Sequence, residues 1–128
     1  MRYLLDTHIL IWALEGETNL SPEIRARIAD QSHEVYFSAI NIVEIAIKFS
    51  RGKPGFPYSP QAVADAARDA GFLELLVNSR HGVRLAGLPW YHRDPFDRLL
   101  IAQSIEEGLR FLTADQRLAT YSDLVETC

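Results

Sequence analysis

The sequence has 128 residues, 48% hydrophobic and 23% charged, which fits one globular domain over residues 1–128 with one hydrophobic core. Its net charge of −4 argues against a general nucleic-acid coat protein, because phosphate binding depends on positive charge. Cys128 is the one cysteine, so an internal disulfide is excluded. No apolar run approaches the about 20 residues of a transmembrane helix, and we expect a cytoplasmic protein without membrane contact.

Strand and helix patterns alternate along the chain. Strands are predicted where short runs are apolar, β-branched or aromatic, and helices where apolar residues recur at helical spacing. Serine–proline pairs mark two helix starts, and glycines mark several helix ends. In chain order we predict a strand at 3–5, a helix through Leu14, a helix from Ser21, a strand at 35–38, a helix at 39–51, a loop at 53–59, a helix from Ser59 to Gly71, a strand at 72–77, a helix at 79–88, a helix from Asp94 to Gly108, a strand at 111–113, a short helix at 115–121 and a strand at 124–126.

This alternation predicts an α/β fold, with a parallel sheet and helices on both of its faces. In open sheets of this kind, ligands bind beyond the carboxyl ends of the strands. Asp6 ends the first predicted strand, Asp115 follows the 111–113 strand, and Asp97 lies in the helix just before that strand. We therefore expect these three acids to meet at one edge of the sheet.

Each acid also has a purely structural interpretation. Asp6 and Asp115 can cap the helices that follow them, and the sequence leaves both roles open. Asp94 favours the cap, with Asp97 at the capping-box distance of three residues. Capping explains Asp97 less well, because its helix face continues into residues that must turn inward.

Glu44 lies in a predicted helix that is apolar around most of its circumference, so the helix should be buried on most sides. Its polar stripe consists of Asn41, Glu44, Lys48 and Arg51. One alternative is a solvated stripe, with a Glu44–Lys48 pair worth about 0.3–0.5 kcal/mol. The other is a stripe that faces a polar cleft, and the sequence leaves both open.

Carboxylates gathered without a cation repel each other, and one or more must then take up a proton. A divalent ion removes that cost. Hard oxygen ligands without convergent cysteines or histidines indicate Mg²⁺ or Mn²⁺ rather than Zn²⁺. The four histidines lack ligand spacing and are predicted to be surface residues, with His8 alone at the rim of the cleft: His8, His33, His81 and His92.

Four segments resemble the PIN-domain nucleases, and among them the VapC-like toxins of type II toxin–antitoxin pairs. They are LLDTHILIW at 4–12, SAINIVEI at 38–45, DPFDRLLIAQ at 94–103 and LTAD at 112–115. Each segment alone is a weak signal. Together they stand in the order of the family and cover essentially the whole chain.

The resemblance implies a ribonuclease with a PIN-like three-layer α/β/α sandwich around a short parallel sheet. It implies catalytic and metal-binding roles, with Mg²⁺ or Mn²⁺, for Asp6, Glu44, Asp97 and Asp115. Thr113 matches a hydroxyl position near the metal, whereas Asp94 is an extra acid outside the four-acid pattern. The resemblance also implies an RNA substrate, a homodimer and a cognate antitoxin partner.

The most basic stretch runs over residues 78–98, and it is either an RNA-facing surface or a solvated helix and loop. On the first interpretation, phosphates next to the cleavage point would contact Arg98, Arg93, Arg80 or Lys48.

The main alternative function is a catalytically silent PIN-like module that binds RNA or a protein. An aspartate-nucleophile phosphatase is disfavoured, because no second acid stands two residues after Asp6. A receiver domain is disfavoured as well, because Asp6 has no acidic neighbour.

Overall fold

The computed structural model describes residues 1–16, 19–52 and 57–128. Its elements follow the predicted order, and part of the predicted 53–59 loop lies outside the described residues. In chain order they are β1 (Arg2–Leu5), α1 (Thr7–Glu15), α2 (Pro22–Ala29), β2 (Glu34–Ser38), α3 (Ala39–Ser50), α4 (Pro60–Asp69), β3 (Leu73–Leu75), α5 (Ser79–Ala86), α6 (Pro95–Glu107), β4 (Arg110–Thr113), a 3₁₀ helix (Gln116–Tyr121) and β5 (Val125–Thr127).

Short polar side chains set where the helices begin. Each described α-helix follows a residue whose side-chain oxygen accepts a hydrogen bond from a backbone N–H of the first turn. These caps include both predicted serines and the predicted aspartate: Asp6, Ser21, Ser38, Ser59, Asn78 and Asp94.

The third strand is shorter than the predicted 72–77 run. Its pairing with β2 ends where Ser38 lies opposite Leu75. Ser38 is both the last residue of β2 and the cap of α3, with no linker between the two elements. Leu76 and Val77 therefore have no strand beside them on which to pair, and both are exposed.

The five strands of the described residues are all parallel and lie in the order β3-β2-β1-β4-β5. The chain builds outward from β1 to β2 and β3, and then returns to place β4 on the other side of β1. The strand order therefore reverses between β1 and β4, which is where open α/β sheets bind their ligands.

The sheet divides the expected single core into two. Alternate residues of a strand face opposite sides, so Tyr3 and Leu5 of β1 enter one apolar cluster and Leu4 enters the other. The first cluster includes residues of α1, α2 and α4, and the second is covered by α5 and α6. Helices on both faces of a parallel sheet make the α/β/α sandwich that the sequence predicts.

Among the described residues, no helix is both long enough and apolar enough to cross a membrane.

Candidate active site

A cleft of about 460 Å³ opens beside the carboxyl ends of β1 and β4, and all four predicted acids line it. His8 also lines it, as predicted for the rim of the cleft. The remaining lining residues are Trp12, Lys48, His92, Asp94, Ala114 and Arg117.

Asp6 caps α1 and lines the cleft at the same time, so the two roles that the sequence left open coexist. Its Oδ1 accepts from the backbone N–H of Thr7 at 2.7 Å, and its Oδ2 accepts from Thr113 Oγ1 at 2.5 Å. The side chain is almost fully buried, and this burial raises the pKa of Asp6. The nearby charge of Glu44 raises that pKa further, while the bonds from Thr113 and Thr7 lower it.

Glu44 is 7% exposed and belongs to a connected network of polar side chains. Its Oε1 accepts from Thr7 Oγ1 at 2.7 Å, and its Oε2 accepts from Lys48 Nζ at 3.0 Å. Asn41, which is fully buried, donates to Thr7 Oγ1 at 3.0 Å and to the carbonyl of Leu5 at 3.2 Å. The solvated-stripe alternative is therefore wrong for Asn41 and Glu44, whereas the predicted Glu44–Lys48 pair is present.

Asp94 and Asp97 make different contacts at the N-terminus of α6. Asp94 is the predicted cap, since its Oδ1 accepts from the backbone N–H groups of Phe96 and Asp97 at 2.8 and 3.2 Å. Asp97 Oδ2 is instead paired with His92 Nε2 at 2.8 Å. Burial, followed by the charges of Asp6 and Asp94, raises the pKa of Asp97 to about 7.

Asp115 lies at the outer side of the cleft and caps the 3₁₀ helix. Arg117 donates through Nε to Asp115 Oδ1 at 3.0 Å and through Nη2 to Oδ2 at 2.8 Å. These bonds hold the pKa of Asp115 below its usual value. Thr113 Oγ1 accepts from the Asp115 backbone N–H at 3.1 Å and donates to Asp6, so it links two of the predicted acids.

Two of the histidines differ from the surface role predicted for them. His81 is fully buried, and both of its ring nitrogens have partners. Its Nδ1 accepts from Asn78 N at 3.1 Å, and its Nε2 lies 2.9 Å from Glu107 Oε2. His92 is partly buried in the cleft beside Asp97. The expectation that no histidine converges on the acids is therefore wrong for His92.

Arg98 is unsuited to the RNA contact that the sequence predicted for it. Arg98 is 4% exposed, and its guanidinium donates to the carbonyl of Pro89 at 2.7 Å and to Tyr121 Oη at 3.2 Å. It also stacks on the Trp90 ring, 3.9 Å from the ring centroid. Because these contacts use the guanidinium inside the protein, Arg98 anchors the segment before α6.

The remaining predicted cations are divided between the cleft and the outer surface. Lys48 lines the cleft, whereas Arg80 and Arg93 are exposed at positions outside its lining. Arg117 lines the cleft and was missed by the sequence reasoning, which considered only the basic stretch 78–98 and Lys48 as sources of RNA contacts. Its position two residues after Asp115 was the available signal.

The chemistry of the cleft fits a divalent cation. In the described ranges 1–16, 19–52 and 57–128, His92, Asp94 and Asp97 are the one set of three candidate ligands whose donor atoms all lie within 4.8 Å of one another. Asp6, Glu44 and Asp115 lie around the same cleft at wider spacing. Burial and mutual repulsion raise the pKa values of Asp6 and Asp97, which is the cost that a bound cation offsets.

Comparison with known proteins identifies the family. The sequence profile of the PIN domain matches residues 3–124. VapBC2 from Rickettsia felis, solved bound to a DNA fragment from its promoter, is similar in structure with a TM-score of 0.73 at 14% identity, over 98% of this chain and 96% of that one. A domain of a functionally unknown Methanocaldococcus jannaschii protein gives a TM-score of 0.58 at 13% identity, over 93% and 81% of the two chains. No curated protein sequence is significantly similar. The profile match spans nearly the whole chain, and the chain therefore belongs to the PIN-domain family.

Proposed function

We propose that the protein is a ribonuclease dependent on Mg²⁺ or Mn²⁺ and the toxin of a toxin–antitoxin pair. The observation that carries this proposal is the cleft at the reversal of strand order, which all four predicted acids line. Family membership supports it, because PIN domains are generally metal-dependent nucleases.

The acids of the cleft have distinct roles in this proposal. Asp6, Asp97 and Asp115 would hold the cation through carboxylate oxygens, the donors that Mg²⁺ and Mn²⁺ prefer. Once bound, such a cation lowers the pKa of a water molecule and offsets the charge of the scissile phosphate. Glu44 would orient the attacking water, and its carboxylate is held for that purpose by Thr7 and Lys48.

RNA would enter along the cations of the cleft. Lys48 and Arg117 line it, and both pair with an acid, so each can exchange that acid for a phosphate oxygen of the substrate. Contacts of this kind position the backbone and carry no sequence information. Arg80 and Arg93, which are exposed, would contact RNA outside the cleft.

The toxin role has separate support. The four matching segments resemble VapC-like toxins, and the Rickettsia felis relative is a VapBC2 assembly. Together they suggest a cognate antitoxin as partner. The homodimer rests on the resemblance alone, and the single domain and the cytoplasmic location remain predictions.

One observation favours the alternative of a catalytically silent binding module. Lys48 pairs with Glu44, and Arg117 pairs with both oxygens of Asp115. Two of the four acids are thus neutralised by the chain itself, and such a cleft can persist without a metal. The buried Asp6 and the partly buried Asp97 argue the other way, since no arginine or lysine among the described residues forms an ion pair with either.

The test is cleavage of a mixed RNA pool by the full chain, freed of any antitoxin, with Mg²⁺, with Mn²⁺ and with EDTA. We expect cutting that requires the metal and is lost in Asp6→Asn, while circular dichroism shows an intact fold. Asp69→Asn is the matched control, because Asp69 is exposed at the end of α4, outside the cleft. If the folded, metal-loaded protein leaves every RNA intact, the enzyme proposal is wrong and the binding module is favoured.

A further inference from the structure

His92 contacts a predicted metal-binding acid but has no part in the four-acid pattern. Its Nε2 lies 2.8 Å from Asp97 Oδ2, and its side chain is 12% exposed. A nitrogen and a carboxylate oxygen at that distance share a proton. His92 is therefore hydrogen-bonded to Asp97 from one side of the cleft.

Hydrogen bonds hold the backbone of His92 in place. The backbone N–H of His92 donates to Tyr121 Oη at 2.8 Å, and Tyr121 Oη also accepts from Arg98 at 3.2 Å. Arg98 in turn donates to the carbonyl of Pro89, in the segment that leads to His92. The 3₁₀ helix and α6 thus hold the His92 backbone in place, and the contact of Nε2 with Asp97 orients the ring.

The three close donors His92, Asp94 and Asp97 are not equivalent. Asp94 Oδ1 is committed to two backbone N–H groups of α6. The Nε2 of His92 is committed to Asp97 Oδ2 at 2.8 Å, so it cannot bind a cation while that contact is kept. Asp97 Oδ1, in contrast, accepts no hydrogen bond from any described residue. The set therefore contains one available carboxylate oxygen with two supporting residues.

We infer that His92 is a positioning residue for Asp97, holding Oδ2 so that Oδ1 faces the divalent cation. The inference rests on the proposed function, because it takes Asp97 to be a metal ligand. A hydrogen bond to one oxygen fixes the rotation of the carboxylate plane, so less freedom is lost when the ion binds. Supporting contacts of this type typically change metal affinity by about 10–100-fold.

The experiment measures Mn²⁺ affinity of the purified full chain by electron paramagnetic resonance, independently of cleavage. We expect His92→Phe to bind Mn²⁺ about 10–100-fold more weakly than the unmodified chain. His92→Gln, whose amide N–H can replace the lost donor, should restore affinity to within about threefold of the unmodified chain. His33→Phe is the control for loss of an imidazole, because His33 lies outside the cleft lining.

Pulsed electron paramagnetic resonance on the unmodified chain and on His92→Gln supplies a second readout, which does not depend on affinity. We expect no coupling from a directly bound imidazole nitrogen. Such a coupling, if it is lost in His92→Gln, would make His92 a ligand and overturn the inference. Equal Mn²⁺ affinity in His92→Phe and the unmodified chain would overturn it as well, with the proposed function intact. If the unmodified chain binds no Mn²⁺, both the inference and the metal-dependent function fail.

Discussion

The inner and outer sides of the cleft hold acids of the same type in opposite ways. On the inner side, Asp6 is buried and its oxygens accept hydrogen bonds from neutral donors, Thr7 N and Thr113 Oγ1. On the outer side, both oxygens of Asp115 accept from the charged guanidinium of Arg117. The pKa of Asp6 is raised by burial, and that of Asp115 is lowered by the arginine.

This difference indicates where a cation is needed and where it must compete. Neutral donors fix a carboxylate without balancing its charge, so the inner acids repel each other until a cation arrives. At the outer side, Arg117 already supplies a positive charge. A metal that binds Asp115 competes with Arg117 for the same oxygens, whereas a metal at Asp97 relieves repulsion.

The largest effect is expected on the inner side, from Asp97→Asn. The amide keeps the shape of the side chain but removes the negative charge and one metal-binding oxygen. We expect Mn²⁺ affinity to fall by at least about 100-fold, because even residues that only support a metal ligand change affinity by 10–100-fold. Isothermal titration with Mn²⁺ measures this. Asp115→Asn is the comparison, and an equal or larger loss of Mn²⁺ affinity in that variant would contradict the difference between the inner and outer sides.

The free energy of unfolding of the metal-free protein should fall as the pH rises, because of Asp97 on the inner side. The pKa of Asp97 is raised from 3.8 to about 7 on folding, so the folded state binds the proton more tightly. Protonation of Asp97 therefore stabilises the fold fully below the unfolded pKa, and this contribution is lost as the pH rises towards 7. The slope for one proton is at most about 1.4 kcal/mol per pH unit.

Urea unfolding in EDTA at several pH values between about 5 and about 8 checks this slope. Asp97→Asn should flatten it, and saturating Mn²⁺ should oppose it. A free energy of unfolding that stays constant over this range would show that neither burial nor the neighbouring charges raise the pKa of Asp97.

Thr7→Val tests the neutral donors. Valine has nearly the shape of threonine but cannot donate to Glu44 Oε1 or accept from Asn41 Nδ2. Leaving buried polar groups without a partner costs about 1–3 kcal/mol of unfolding free energy. Thermal and urea denaturation measure the loss, with Thr127→Val at the exposed end of β5 as the control. Equal stability of the two variants would make the Thr7 hydroxyl dispensable.

The smallest effect is expected from Arg117→Gln on the outer side. The Arg117 side chain is 73% exposed, and water screens an exposed ion pair, so its pairing with Asp115 is weak. Removing this competitor should tighten Mn²⁺ binding by up to about fivefold and weaken RNA binding. The Mn²⁺ affinity of Arg117→Lys, which keeps the charge, should lie between those of Arg117→Gln and the unmodified chain. Weaker Mn²⁺ binding in Arg117→Gln would show that the arginine supports the metal site and does not compete with it.

The order of elements was predictable because it depends on local signals. Apolar spacing and caps such as Ser21 and Ser59 act within a few residues, and they specify the helices wherever the rest of the chain lies. The meeting of Asp6 and Asp115 followed from the geometry of parallel strands. Glu44 required the family resemblance, since its stripe alone fitted solvent equally well.

The supporting residues were not predictable, because they depend on how a loop returns to the sheet. His92 stands in a segment without regular periodicity, and its contact with Asp97 depends on the anchoring of that segment by Arg98 and Tyr121. Arg98 itself looked like a surface cation, since charge alone does not reveal a stacking partner such as Trp90. The end of β3 likewise depended on where its neighbour β2 stops.

The direct junction of β2 and α3 at Ser38 fixes the rotational phase of α3 about its own axis. Each residue of an α-helix turns the chain by about 100°. Inserting a single residue after Ser38 would therefore swing Glu44 out of the cleft, although every acid would still be present in the sequence. The chemistry of the cleft thus depends on a residue count at this junction as well as on which residues it contains.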